Sequence, residues 1–226
     1  PEQLARYDYP NRYKAAHVSK KMRANWKTTA EAFFEAHHIV GTHRQSLPMS
    51  ADINSQYDQP TDFVGRQFTA HGVQSPHVEG TLTEQEIFNA FIGYRSDSDE
   101  VAEVVVPEGT TARAFAAQML RDALSAETGR DYAHAGDAEM TDSVAYNVFP
   151  HMAFWAGMFS NLVYRFRPDG MNPEGSIMDI VVMKPAPEGG PRPEPAPIKH
   201  LNYDDPMSLA DDELSPFLAN VFEQDV

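Results

Sequence analysis

Hydrophobic and polar positions change period several times along the chain, and each change marks an element. Tyr13, Ala15, His17 and Ser19 alternate with Lys14, Ala16 and Val18, which is the period of a strand. Residues 1–24 are therefore predicted to form an extended lead-in or edge strand. From Thr28 to about Val40 the period becomes helical, and Thr28 with Glu31 three residues later has the pairing of a capping box. Residues 46–80 are rich in Pro, Gln, Asp and Gly, which predicts a long loop with short strand fragments such as Phe63–Phe68. Loops of that length are uncommon in compact domains and are often functional. Ala116, Met119, Leu120, Ala123 and Leu124 form a helical stripe within Thr111–Glu127, the pattern of a helix packed on a sheet. Ser143–Phe149, Phe159–Phe166 and Ser176–Lys184 read as strands. Turn signals at Pro168-Asp169-Gly170 and Asn172-Pro173-Glu174-Gly175 join the last two. The proline-rich run Met183–Ile198 should be extended and solvated. A closing helix begins near Ser215, with Pro216 at its first position.

Composition narrows the class. The 226 residues suffice for one large domain and a sizeable core. With 33 acidic residues against 18 Lys and Arg, the net charge is -15, and no basic run exceeds Lys20-Lys21. Nucleic acid and anionic membrane surfaces are excluded as expected partners by like-charge repulsion. The chain has no cysteine, so disulfides, thiolate zinc sites, Cys-ligated iron–sulfur clusters and cysteine nucleophiles are excluded within it. No apolar run approaches the roughly 18 residues of a membrane helix, and no signal-peptide pattern opens the sequence, so a cytoplasmic setting is expected. The start at Pro1 and the stop at Val226 in mid-pattern read as cuts from a longer protein.

Candidate chemistry gathers at the two ends. In the segment NWKTTAEAFFEAHHIVGTHRQ, Asn25 to Gln45, a helix would place Glu31, Phe34, Glu35 and His38 on one face. On an unbroken helix His38 and His43 would point about 140° apart. They can meet on one ion only if the helix stops between them, and Gly41 is a residue that ends helices. Two histidines without a thiolate suit iron, zinc or manganese once a carboxylate completes the set. The spacing alone fits two structural histidines equally well, and no HExxH is present. At the far end Leu214, Leu218, Val221, Phe222 and Asp225 fall on one helical stripe, so Asp225 takes an interior position. A buried carboxylate needs a cation, a metal or several donors; a frayed, solvated last turn is the alternative.

The run Asn25-Trp26-Lys27, Glu31 to His38 and His43 closely resembles the NWK…ENFxExYHxxxxH segment of the catalytic domain of Rieske non-heme iron ring-hydroxylating oxygenases, large (alpha) subunit. Phe149-Pro150-His151 and Arg165-Phe166-Arg167-Pro168 resemble that family's FPN and RFRP stretches. Leu218 to Asp225 resembles its closing helix and QD-type motif. Ala32, His37 and His151 depart from the family's usual Asn, Tyr and Asn.

The resemblance implies an α+β, helix-grip (lipid-transfer-like) fold, a curved antiparallel sheet around a long C-terminal helix with an apolar cavity, spanning residues 1–226 as one catalytic domain. His38, His43 and Asp225 would hold mononuclear Fe(II). Glu35 would bridge electron transfer from a neighbouring subunit's Rieske cluster or fix the ring of His38. Phe33, Ala36, Ile39, His151 and Val221 are the implied substrate-pocket positions. The implied reaction is hydroxylation, as cis-dihydroxylation, of an aromatic substrate with O2 and two electrons. Those electrons come from a Rieske 2Fe–2S cluster outside this chain, supplied by NAD(P)H through a reductase or ferredoxin. The implied assembly is a homotrimer or an alpha3beta3 complex. The rival expectations are a non-catalytic apolar-ligand-binding protein of the same fold and a zinc hydrolase with Glu35 as general base.

Overall fold

Residues 2–95, 104–158 and 161–226 are described in the computed structural model of the chain. A helical turn α1 (Glu2–Ala5) leads to strand β1 (Arg12–Met22) and the short helices α2 (Trp26–Ala32) and α3 (Ile39–Thr42). Strands β2 (Gln56–Thr61) and β3 (Val64–Thr69) follow, then helices α4 (Glu84–Arg95), α5 (Ala112–Thr128) and α6 (Asp137–Thr141). Strands β4 (Ser143–Val148), β5 (Met152–Ala156), β6 (Asn161–Asp169), β7 (Asn172–Pro185) and β8 (Lys199–Leu201) precede the closing helices α7 (Asp211–Leu214) and α8 (Pro216–Glu223). All eight strands join one sheet in the order β2-β3-β4-β5-β6-β7-β1-β8. Neighbours are antiparallel except that Val18–Lys20 of β1 runs parallel to β8. The class is α+β.

Register decides what each face carries, because directly opposed residues lie on the same side of a sheet. Ala153 opposes Tyr164, Tyr164 opposes Ile180, and Ile180 opposes Val18. Those four pack with Phe166, Met178, Leu214 of α7 and Ala219 and Phe222 of α8. On the other face Tyr146 opposes Phe154, and both pack with Phe88 and Phe91 of α4 and Leu120 and Leu124 of α5. Helix α5 begins at Thr111, whose hydroxyl accepts from the Ala114 N–H at 3.2 Å, and ends at Gly129, whose φ of 76° is the left-handed conformation glycine adopts freely. Its buried stripe contains Ala117, while Ala123 of the expected stripe faces solvent.

Several expectations need correction. β1 is not an edge strand: β7 flanks its length and β8 covers Val18–Lys20, so Ala16 to Lys20 are all buried. Lys20 is tolerated there because its ammonium donates to the carbonyls of Asn202, Tyr203 and Asp205 at 2.8, 3.2 and 2.7 Å. The expected loop 46–80 contains the β2–β3 hairpin, and β3 pairs fully with β4. Helix α4 and strand β5 were not anticipated. Of the strand expected from Phe159, residues 159–160 lie outside the described residues, and β6 runs on to Asp169. The β6–β7 turn is Gly170-Met171, between paired Asp169 and Asn172; the expected second turn, Asn172 to Gly175, is strand. The C-terminal helix is not long. Ser215, at φ 78°, breaks it into α7 and the eight-residue α8.

Candidate metal centre

The first histidine segment is organised by short-range hydrogen bonds. Helix α2 starts at Asn25, whose side chain accepts from the Lys27 N–H at 3.0 Å and donates to the Pro173 carbonyl at 2.9 Å. The expected Thr28–Glu31 box is therefore not the cap. Thr29 adds a hydroxyl contact to Ser176 of β7 at 3.2 Å, so α2 is tied to the sheet. The helix ends at Ala32, earlier than the expected Val40, and Glu35 captures the turn that follows. Its carboxylate accepts from the His37 N–H, from the His38 N–H at 3.1 Å and from His38 Nδ1 at 2.5 Å. His38 and His43 then flank α3 as its two caps. Gly41 lies within that single turn, and the break falls at His43, with φ −113° and ψ 49°. The two imidazole centroids are 5.1 Å apart at 76°.

An aromatic cluster sets the far end of the chain against this segment. Phe33, two residues before Glu35, packs on Tyr164, Phe166 and Phe222 at centroid distances of 5.4, 5.8 and 6.0 Å. Phe222 in turn meets Tyr164 at 6.0 Å. Burying such a side chain contributes about 1.5–3 kcal/mol, so the register between the two ends is set by packing. Three residues after Phe222, Asp225 follows the end of α8, off the helix on which the sequence pattern had placed it. Its Oδ1 stands 3.1 Å from His43 Nε2. Gln224 accepts from His43 Nδ1 and from Gln45 Nε2, both at 2.8 Å.

His38, His43 and Asp225 each offer a ligand atom, and the three atoms lie within 4.8 Å of one another. Glu35 and Gln224 each take the Nδ1 proton of one histidine, leaving Nε2 of both rings as the lone-pair donor, the outer arrangement usual for metal-bound imidazoles. Two ligands at right angles, each about 2.1 Å from a first-row ion, stand about 3.0 Å apart, which the His43–Asp225 separation matches. The donor set of two imidazoles and one carboxylate thus fits a divalent iron-type ion. Among the described residues no Lys or Arg pairs with Asp225. Burial pulls the His43 imidazole down, but hydrogen bonds with Asp225 and Gln224 outweigh it and hold the ring above its ordinary pKa.

The three side chains open into a cavity of about 640 Å³, within the range of small-molecule sites. Phe33, Ile39 and Val221 line it; Ala36 is buried behind it and does not. His151 is exposed on the β4–β5 turn, outside the lining, where its carbonyl accepts from the Phe166 N–H at 2.8 Å. Gln224 and the polar wall Ser46, Ser50, Gln67 and Thr69 were missed as site residues. The QD pair carried a signal for Gln224, whereas the wall required knowledge of how β3 pairs.

The family model for the ring-hydroxylating alpha subunit (catalytic domain) matches residues 5–194, and the chain belongs to that family. Among solved structures the chain is similar to a quaternary ammonium Rieske monooxygenase described for carnitine oxidation by gut microbiota and inter-subunit electron transfer (TM-score 0.42, 10% identity, 95% of this chain and 40% of that one). It is also similar to the quaternary ammonium Rieske monooxygenase CntA in complex with an inhibitor (TM-score 0.45, 11% identity, 98% and 42%). The chain thus spans less than half of either protein. No curated protein sequence is matched.

Proposed function

We propose that this chain is the iron-bearing catalytic part of a Rieske-type oxygenase, with His38, His43 and Asp225 as the three protein ligands of one Fe(II). Family membership supports the reading. The observation that carries it is the meeting of Asp225 with two histidines from the opposite end of the sequence, each already held by an outer hydrogen bond. When bound, such an ion supplies the site at which dioxygen is activated. The chain's own residues would orient both imidazoles, keep the ligand face toward the cavity and exclude bulk water from it. Glu35 joins His38 to the protein surface, with its side chain about one-third exposed, and is assigned as the entry point for electrons from a Rieske cluster on a neighbouring subunit. In a cis-dihydroxylation one O2, two electrons and two protons add to an aromatic substrate, and both oxygen atoms remain in the product. A reductase or ferredoxin drawing on NAD(P)H and a trimeric assembly belong to the same proposal. The helix-grip assignment does too, with the broken segment 207–223 in place of one long helix.

Anaerobic reconstitution with Fe(II), followed by metal analysis, tests this. The expected result is near-stoichiometric iron in the wild type and its loss in Asp225→Ala and His38→Ala with the fold retained by circular dichroism. Equal iron in all three would remove the triad.

A further inference from the structure

The cavity has two chemically different ends. Phe33, Leu162, Tyr164, Val221 and Phe222 make one of them. The other is built from Ser46 and Ser50, from Gln67 and Thr69 of β3, from His71 and from Ser143 of β4. Thr69 opposes Ser143, so both project from the same side of the sheet, the side a buried sheet normally lines with apolar residues. All six are buried, at 7% exposure or less. Some hydroxyl needs are met internally: Ser46 donates to the His43 carbonyl at 2.8 Å, Ser55 and Thr69 share a bond of 2.6 Å, and Gln67 donates to Thr69 at 3.1 Å. Ser50 is the exception. The residue is 1% exposed, and its hydroxyl has no hydrogen-bond partner among the described residues. An unmet hydroxyl is costly to bury, so its place on a cavity wall marks it for a ligand.

Charge narrows what that ligand carries. The lining includes the carboxylates of Glu35, Asp211, Asp212, Glu213 and Asp225, with Lys184 as the lone lysine and no arginine. Arg113, behind His71, is committed to Asp142 and to the His71 carbonyl. An anionic substituent would meet five like charges against the single ammonium of Lys184.

Resting on the reading of this cavity as the substrate site, we propose that its hydroxyl-rich end selects an uncharged hydrogen-bonding substituent, such as a hydroxyl or ether oxygen, on an otherwise apolar aromatic substrate. The aromatic body lies against Phe33, Tyr164 and Phe222, and the substituent meets Ser50. Substrates bearing a carboxylate in that position are rejected.

Three probes of one shape test it: naphthalene, 2-naphthol and 2-naphthoate, titrated calorimetrically into the full chain with and without Fe(II) under anaerobic conditions. One added hydrogen bond to a buried partner predicts a Kd for 2-naphthol about tenfold below that for naphthalene, with 2-naphthoate weakest. Ser50→Ala should bring 2-naphthol to within about threefold of naphthalene while leaving naphthalene unchanged. Its unliganded melting temperature should not fall, since the hydroxyl has no partner to lose; Ser143→Ala serves as the second variant. Equal binding of naphthalene and 2-naphthol, tightest binding of 2-naphthoate, no binding of any probe, or an unaltered preference in both variants overturns the proposal. Iron retention without the 2-naphthol preference defeats this inference alone, and the preference without iron retention defeats the metal reading alone.

Discussion

Asp179 and Asp225 are both shielded carboxylates beside a histidine, on opposite sides of one sheet, and they are treated differently. Asp179, 2% exposed, accepts from Arg165 Nε at 2.8 Å and Arg167 Nε at 3.1 Å, and His17 Nε2 stands 3.5 Å away. Asp225 has His43 at 3.1 Å as its ion-pair partner among the described residues. The first carboxylate is saturated with resident cations. The second faces the two imidazoles of the proposed triad. A shielded charge is stable only when compensated, so the contrast is the one expected between a structural carboxylate and a proposed metal ligand.

The largest expected effect comes from deleting the proposed carboxylate ligand. Asp225→Ala should weaken iron binding by more than about 100-fold, beyond the 10–100-fold typical of residues outside the ligand set. Its apo stability should shift by only about 0.5 kcal/mol. Competition with a chelator measures the first and urea unfolding the second. Asp179→Asn should do the reverse, costing about 3 kcal/mol as Arg165, Arg167 and His17 lose their shared partner, while iron affinity stays within about threefold of wild type because Asp179 is no ligand. If both variants lost iron and stability together, the distinction would collapse.

The pH dependence sharpens the same contrast. Burial would raise the Asp179 carboxyl, but hydrogen bonds from Arg167, Arg165 and Ser19 outweigh it and hold its pKa below 3.8. Burial keeps His17 below 6.5, with Asp179 opposing. Both folded values are depressed. Each group therefore adds stability that is present above its unfolded pKa and lost as pH falls through the folded one. Wild-type stability should fall in two stages on acidification, beginning below pH 6.5 and again below pH 3.8. In Asp179→Asn the second stage should shrink, and the first should deepen because His17 has lost the carboxylate that raises it. Urea midpoints across that range would show it, and an unchanged profile would mean that the cluster carries no linked protons.

The sequence made α5 and the β6–β7 hairpin legible, because each carries a local pattern, a 3.6-residue stripe in one and a turn glycine in the other; His38, His43 and Asp225 were joined only by the family resemblance, since histidine spacing alone fits two structural histidines equally well. It misplaced how they meet. The single helix expected through His38 is two helices broken around Glu35, since that carboxylate offers the backbone N–H groups of His37 and His38 a partner that competes with continuing the helix. β1 looked like an edge because alternation records one buried face, whereas β7 and β8 enclose the strand. The polar cavity wall was hidden for a different reason. Ser46, Ser50, Gln67 and Thr69 lie in a Gln- and Pro-rich stretch whose composition reads as loop; pairing of β3 with β4 turns Gln67 and Thr69 inward, and Ser50 joins them through its bridge to His71.

Intermediate effects should come from the residues that orient the ligands. Glu35→Gln and Gln224→Ala each remove or weaken the acceptor for one histidine Nδ1 proton, and each should reduce iron affinity by about 10-fold. Neither should change the stoichiometry at saturating metal. A loss in Glu35→Gln as large as in Asp225→Ala would make Glu35 a ligand rather than a positioning residue.

The smallest effect tests whether the metal side of the molecule depends on the strand that carries Asp179. Asn25 caps α2 and reaches Pro173 of β7, and Thr29 reaches Ser176 of the same strand. Asn25→Ala should cost about 1 kcal/mol, the usual loss of a helix cap, while Thr28→Ala, at an exposed position, should stay within about 0.5 kcal/mol. Iron affinity should be nearly unchanged in both, because Glu35 rebuilds the turn independently beyond the end of α2. The reverse order of the two variants would restore Thr28 as the cap. A parallel fall in iron affinity in Asn25→Ala would show that β7, which holds Asp179 on one face, also sets the position of Asp225 on the other.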